Sequence, residues 1–348
     1  MKFDFCIGNP PYMDQTLGLN DTYAPPVYDK FMDSAYSIAD KVELIHPARF
    51  LFNAGSTPKV WNEKMLNDKH FKVLHFEQDS KKVFQNTDIK GGIAISYYSK
   101  EDLYEPVGTF TSFSELNSIM RKVVNRNNFS TLSDIVYIQN RFNLNNLYAD
   151  YPDAKNGVGS DGKDKRLEKN IFIKVPEVFS ESRQNPNDIK IIGIQNNKRV
   201  WKYINEKYIE KEHENLMKYK VILPTSNGSG AIGEVLSTPL IGEPLIGEPL
   251  IGYTRSFISI GAFNTKLEAE NALKYIKGRF SRAMLGILKI TQDNNKSTWK
   301  YVPFQDFTSS SDIDWSKSIS EIDQQLYKKY GLSEEEISFI EANVKEMV

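Results

Sequence analysis

Residues 3–12 read Phe3-Asp4-Phe5-Cys6-Ile7-Gly8-Asn9-Pro10-Pro11-Tyr12, an apolar run stopped by a rigid corner. Phe3 to Gly8 predict a strand. Asn9-Pro10-Pro11 ends it, because proline fixes φ and has no N–H with which to continue a ladder. Such a corner turns backbone carbonyls outward at the strand's carboxyl end, where open α/β sheets bind their ligands. Asn9 offers a side-chain oxygen, Pro10 a carbonyl oxygen and Tyr12 a flat aromatic face, while Pro11 shapes the turn. The set suits a planar base with an exocyclic amine: two acceptors take its two N–H hydrogens and leave the nitrogen lone pair for an electrophile. The same four residues also make an ordinary turn, and Pro-Pro-x-Tyr is a short peptide ligand for aromatic grooves.

The segments after the corner fix the fold class. Residues 28–39 (YDKFMDSAYSIA) place Phe31, Ala35 and Ile38 at helical spacing, and Val42 to Ile45 read as the next strand. The apolar runs Phe71 to Phe76 and Gly92 to Tyr98 flank a polar stretch and predict a strand pair or hairpin at a sheet edge. Strand, helix and strand in this order make an α/β unit. From 103 to 154 the pattern weakens and asparagines cluster, and 156–169 (NGVGSDGKDKRLEK) read as a polar, glycine-bearing loop. A boundary near 105–130 gives domains at 1–115 and 116–348. In the second, short strands are expected at Ile171 to Val175, Ile189 to Ile194, Lys220 to Leu223 and Ser256 to Ile260. Helices are expected at Lys266 to Phe280, Glu321 to Tyr330 and Ser333 to Met347, the last opening on a Ser333/Glu336 capping box. Its Glu334, Glu335 and Glu336 are accounted for by the helix dipole.

The 348 residues hold 44 basic and 45 acidic side chains, a balance that hides segregation. Residues 1–120 carry net charge −4 and 301–348 carry −6, whereas 121–300 carry +9. A basic middle reads either as a solvated surface or as a module facing a polyanion. No stretch approaches the roughly 20 apolar residues of a membrane span, and MKFDFCIGNPPY is neither a signal nor a transit peptide, so a cytoplasmic location is expected. The single cysteine, Cys6, excludes an internal disulfide or a cysteine-rich zinc cluster, and four scattered histidines give no paired spacing; no metal is expected.

On the motif FDFCIGNPPY and the strand-helix order behind it, the sequence resembles the N6-adenine DNA methyltransferases of restriction-modification systems. Their fingerprint is an apolar strand followed by [D/N/S]-P-P-[Y/F]. The resemblance implies methyl transfer from S-adenosylmethionine to an adenine flipped out of double-stranded DNA. It implies that Asn9 and Pro10 accept hydrogen bonds from the adenine amine and that Tyr12 stacks on the ring. Val83-Phe84, ahead of GGIAISYY, corresponds to a second stacking aromatic, Phe84. Residues 1–100 are similar to the second half of the catalytic domain in the gamma-class motif order. The rest resembles a target-recognition domain, ending VPFQDF…DIDW…IDQQLYKKYGLSEEEISFIE. The implied fold is α/β: a partial Rossmann-like methyltransferase sheet followed by a mixed α+β recognition domain.

In that motif order the glycine-rich donor loop and the acidic residue that holds the ribose precede the corner. Only eight residues precede Asn9, so the resemblance implies the carboxyl part of a longer or split enzyme, with a second polypeptide as one source of the donor half. A catalytically inactive DNA-binding specificity module is the alternative. Gly228-Ser-Gly230-Ala-Ile-Gly233 matches G-x-G-x-x-G after an apolar run, but prolines come next where a dinucleotide site needs a helix. Pro152-Asp153 with Asp161-Gly162-Lys163 imitates a nuclease pattern, though in loop-like sequence where that chemistry needs adjacent strands. For DNA contact the candidates are Arg126, Arg141, Lys163, Lys165, Arg166, Lys198 and Arg199. Finally, Pro-Leu-Ile-Gly-Glu recurs from Pro239 and Pro244 and, ending in Tyr253, from Pro249. Five residues are too few for a solenoid unit and each proline removes a donor, so the repeat reads as an expanded loop left by slippage. Its copy number is expected to shift the spacing or stability of DNA-contacting elements.

Overall fold

The computed structural model describes residues 2–14, 24–52, 56–85, 89, 91–159, 163–227, 242–289 and 293–347. The chain divides into two compact units, Met1–Asn117 and Ser118–Val348.

Unit 1 is a four-stranded sheet under two helices. In chain order it contains β1 (Phe3–Gly8), α1 (Tyr28–Ile38), β2 (Ala39–Pro47), α2 (Lys59–Asn67), β3 (Phe71–Glu77) and β4 (Ile93–Ser99). The sheet order is β1-β2-β4-β3; β1 and β2 are parallel and the other pairs antiparallel. Met32, Ala35 and Tyr36 recur at helical spacing and bury one side of α1. They meet Val42, Leu44, Phe71 and Ala94 of the sheet, with Cys6 packed against the same core. Alternation along β1 turns Phe3, Phe5 and Ile7 the other way, and Phe5 and Ile7 are 65% and 78% exposed. Among the described residues the strand therefore combines an unpaired edge with an exposed apolar side, unusual for a parallel strand.

Unit 2 opens with α3 (Ser114–Val124), whose first turn belongs to unit 1, and continues with β5 (Val136–Tyr137), α4 (Leu144–Asp150) and α5 (Ile171–Lys174). Next come the strands β6 (Ile189–Gln195), β7 (Lys198–Ile204), β8 (Tyr219–Pro224), β9 (Leu245–Gly247), β10 (Ile251–Tyr253) and β11 (Phe257–Phe263). Helices α6 (Lys266–Lys277), α7 (Arg279–Gly286), α8 (Ile319–Tyr330) and α9 (Glu334–Asn343) complete it. Two sheets form, β10-β6-β7 and β5-β11-β8-β9. Capping boxes at Ser318/Glu321 and Ser333/Glu336 start the last two helices. Asp323 of α8 caps α7 from outside, accepting the N–H groups of Arg279 at 2.8 Å and Phe280 at 3.0 Å. Lys220 is fully buried, and its ammonium donates to the carbonyls of Asn215 (2.6 Å), Lys218 (3.0 Å) and Leu216 (3.3 Å). Burial pushes its pKa down to about 7, while the three acceptors hold the proton against that pull.

Three local expectations change. Ile171 to Lys174 form a helical turn instead of a strand, because Ile171 and Phe172 are drawn together into the core. Lys266 to Phe280 are two helices, broken at Gly278, whose ψ of 150° leaves the helical region. The second and third pentapeptides are not loop: they supply β9 and β10. The first copy is described only from Gly242, and Gly228 to Gly233 and Asp161-Gly162 also lie outside the described residues.

Candidate active site

The corner leaves the sheet where the β1–β2 ladder ends, at the pair Gly8↔Leu44. Asn9 and Pro11 are exposed, and among the described residues no N–H donates to the Pro10 carbonyl. Tyr12 ties the corner to the helix behind it: its carbonyl accepts the Val27 N–H at 3.2 Å, and Met13 pairs with Pro26 in an antiparallel bridge. The Tyr12 hydroxyl is buried; the Asn9 side chain lies beside it but makes no hydrogen bond of normal geometry to it. Burial raises its pKa, partly offset by the Asn9 side chain beside it. The phenol is thus neutral across the physiological range, and the ring is a neutral stacking surface.

Buried polar groups of α1 and β2 lie behind the corner. Asp29, in the first turn of α1, is 7% exposed and one of its carboxylate oxygens has no partner. Tyr28 stacks on His46 with centroids 6.2 Å apart. Burial pushes His46 down to about 4, so its imidazole is neutral. The carbonyl of Pro47 accepts from Nδ1 at 3.1 Å, which leaves Nε2 to accept from the Ser96 hydroxyl at 2.7 Å.

Strand directions bring a second loop to this end. β3 finishes at Glu77 opposite Ile93, and Ile93 lies opposite Pro47 at the end of β2, so the segment carrying Phe84 emerges on the corner's side. Phe84 is half-buried in a turn closed by its N–H to the Ser80 carbonyl at 2.8 Å. It lies in the connection between β3, the far edge of the sheet from β1, and β4. Gly91 (φ +90°) and Gly92 (φ +79°) turn the chain into β4; a Cβ on Gly92 would lie 2.6 Å from the Glu77 carbonyl oxygen.

The basic candidates of unit 2 separate into three places. Arg141 and Arg166 are joined by a backbone bridge, next to Lys163 and to Lys165, which pairs with Glu210 at 2.9 Å. Arg126 is held elsewhere: its guanidinium donates to the Lys329 carbonyl and lies 4.9 Å over the Tyr330 ring. Lys198 and Arg199 begin β7 after a two-residue turn. Arg199 is anchored on the Glu243 carbonyl and over Phe257, whereas Lys198 is exposed and unpaired among the described residues. Sequence reasoning misses Asn196 (φ 51°) and Asn197 (φ 59°) at the hairpin tip, exposed amides without partners among the described residues. Adjacent asparagines between two apolar runs are the signal that marks such a turn.

Residues 1–84 match the family described as Eco57I restriction-modification methylase. An uncharacterized adenine-specific methylase of Mycoplasma pneumoniae (strain ATCC 29342 / M129 / Subtype 1) is 31% identical over 107 residues, 30% of this chain and 25% of that protein. The chain thus spans about a quarter of the length of that curated relative. The crystal structure of the type IIG restriction endonuclease BpuSI aligns with 92% of this chain and 48% of its own, at 11% identity and a TM-score of 0.35. Among the described residues no helix is long and apolar enough to cross a membrane, and no group of three or more His, Cys, Asp or Glu could hold a metal.

Proposed function

We propose that the first unit is the adenine-binding half of a site-specific, N6-adenine DNA methyltransferase of a restriction-modification system, and that the second unit is its recognition domain. The observation that carries the reading is the Asn9-Pro10-Pro11-Tyr12 corner, presented at the carboxyl end of β1 within the segment that matches the methylase family. The Asn9 side-chain oxygen and the Pro10 carbonyl accept the two N–H hydrogens of a flipped adenine, and the Tyr12 ring stacks on the base. Holding both hydrogens aims the nitrogen lone pair, so the chain's contribution is orientation and polarisation, with no covalent intermediate. S-adenosylmethionine, when bound, supplies an electrophilic methyl on a sulfonium. None of the described residues is assigned to it, and we place the donor half outside them, on a second polypeptide or a further segment. The edge of β1, unpaired among the described residues, and its exposed Phe5 and Ile7 support this. The same edge favours the second reading, a specificity module inactive without its partner.

In unit 2 the β6–β7 hairpin is the part shaped to enter a groove. Pairing with β10 stops at Ile192, and past Ile194 and Arg199, which still pack on the unit, the hairpin ends in an exposed tip of Asn196, Asn197 and Lys198. Two strands with side chains span about 10 Å and fit the roughly 12 Å major groove. Calorimetric titration of the purified chain with S-adenosylmethionine tests the placement of the donor half. No saturable binding is expected; tight binding by the chain alone would overturn it.

A further inference from the structure

The three pentapeptides are nearly identical in sequence, yet each glycine sits against a different neighbour. A Cβ on Gly242, whose φ is +69°, would lie 2.4 Å from Cγ of Pro224. On Gly247 in β9 it would lie 2.8 Å from Cδ1 of Ile222 and 2.9 Å from Cγ of Lys220. On Gly252 in β10 it would meet Cδ1 of Ile191 at 2.6 Å and Oδ1 of Asn140 at 2.7 Å. The copies also join different sheets, since β9 pairs with β8 and β10 with β6.

The last copy cannot slide. Tyr253 is fully buried, its hydroxyl 2.7 Å from that of Ser259 and its N–H donating to Asn140 Oδ1 at 2.9 Å. With that end pinned, a gain or loss of one copy shifts the preceding chain by five residues. In an ordinary strand an odd slip turns every side chain to the wrong face. Here five residues are one repeat, so after a gain each position from 239 to 253 receives the residue type it already has. Loss of a copy differs at one decisive place: Ser237 arrives at the position of Gly242. A serine there must adopt a left-handed backbone and drive its Cβ into the proline ring.

We propose that the repeat preserves register: its last two copies join the two sheets of unit 2, and further copies lengthen only the β8–β9 connection, so the chain is open to added copies but closed to fewer than three. Copy number then alters chain length ahead of Gly242 and leaves β9, β10 and their glycine contacts unchanged. The junction also bears on the hairpin tip, because the Glu243 carbonyl anchors Arg199. None of this depends on the methyltransferase reading.

The test compares full-length chains with two copies (residues 239–243 deleted), three copies and four copies, together with a two-copy chain carrying Ser237→Gly. Thermal unfolding followed by circular dichroism should place the four-copy chain within about 2 °C of the three-copy chain. It should lower the two-copy chain by roughly 4–8 °C, and Ser237→Gly should recover at least half of that fall. If the two-copy chain does not fold, Gly242→Ser in the three-copy chain should reproduce a fall of at least about 4 °C. Equal stability of two and three copies, a four-copy chain as weak as the two-copy chain, no recovery with Ser237→Gly, or a neutral Gly242→Ser would each overturn the proposal.

Discussion

Replacing both tip asparagines by glycine separates the side chains from the turn that carries them. Asn196 and Asn197 hold φ values of 51° and 59°, a geometry glycine adopts freely, so Asn196→Gly/Asn197→Gly keeps the hairpin and removes only the amides. No partner inside the protein is lost, because among the described residues neither amide has one. Unit 2 should therefore unfold within about 0.5 kcal/mol of wild type. On DNA the cost is specific. An amide that pairs with both major-groove groups of an adenine discriminates by about 1–3 kcal/mol, or roughly 5-fold to 150-fold in affinity per base edge. Contacts with phosphates are untouched, so affinity for an unrelated duplex should stay the same. Lys198→Ala should do the reverse, weakening all duplexes alike and reducing the slope of log affinity against log salt by about 0.9. The assay is fluorescence anisotropy between 50 and 200 mM salt, on a duplex that the wild-type chain enriches from a random pool and on an unrelated one. A double-glycine variant that folds normally and still discriminates between them refutes the hairpin as the reading element.

Three further outcomes concern stability. The Lys220 pKa lies at about 7 in the folded chain against about 10.4 unfolded, so the unfolded state holds the extra proton between those values. This stability is complete above the unfolded value and lost as pH falls towards 7. Wild type should accordingly gain up to about 2 kcal/mol over Lys220→Met between pH 7 and pH 9, and urea titrations showing a flat or falling difference would contradict it. Gly252→Ala must push the Asn140 amide off the Tyr253 N–H as well as crowd Ile191, a loss of about 2–4 kcal/mol in denaturant unfolding. A change below about 0.5 kcal/mol would show that the strand yields freely. Tyr12→Phe removes a buried hydroxyl that makes no hydrogen bond of normal geometry, so unit 1 should keep its stability or gain up to about 1 kcal/mol in urea. A clear loss would mean that the hydroxyl holds the corner.

How much of the fold is legible in the sequence depends on the reach of each signal. The strand at Phe3–Gly8, the helix from Tyr28 and the strand through Val42–Ile45 stand where local periodicity and the two prolines put them. Ile171 to Val175 read as a strand but turn, because β-branched residues favour strands only when a sheet receives them and this segment meets a core. β7 carries no clear strand signal, because Lys198, Arg199 and Lys202 interrupt an alternation that pairing with β6 completes. The pentapeptides read as loop because proline excludes a central strand, yet Pro244 and Pro249 fall outside the three paired residues of β9 and β10. At the site, the acceptor set of the corner was visible in four adjacent residues. The unpartnered Asp29 oxygen, the neutral His46 and the sheet order that puts β1 and β3 at opposite edges are products of packing and topology, which residue order alone does not encode.

In the proposed reaction Asn9 and its corner hold the amine of adenine during methyl transfer. The direct measurement is nucleoside mass spectrometry of DNA from methylation-deficient cells that express the chain together with its flanking coding sequence, wild type against Asn9→Ala. Wild type should give N6-methyladenine and Asn9→Ala a loss of roughly 100-fold or more, while both proteins bind DNA equally. Methylated cytosine in place of N6-methyladenine, or undiminished N6-methyladenine with Asn9→Ala, would contradict it.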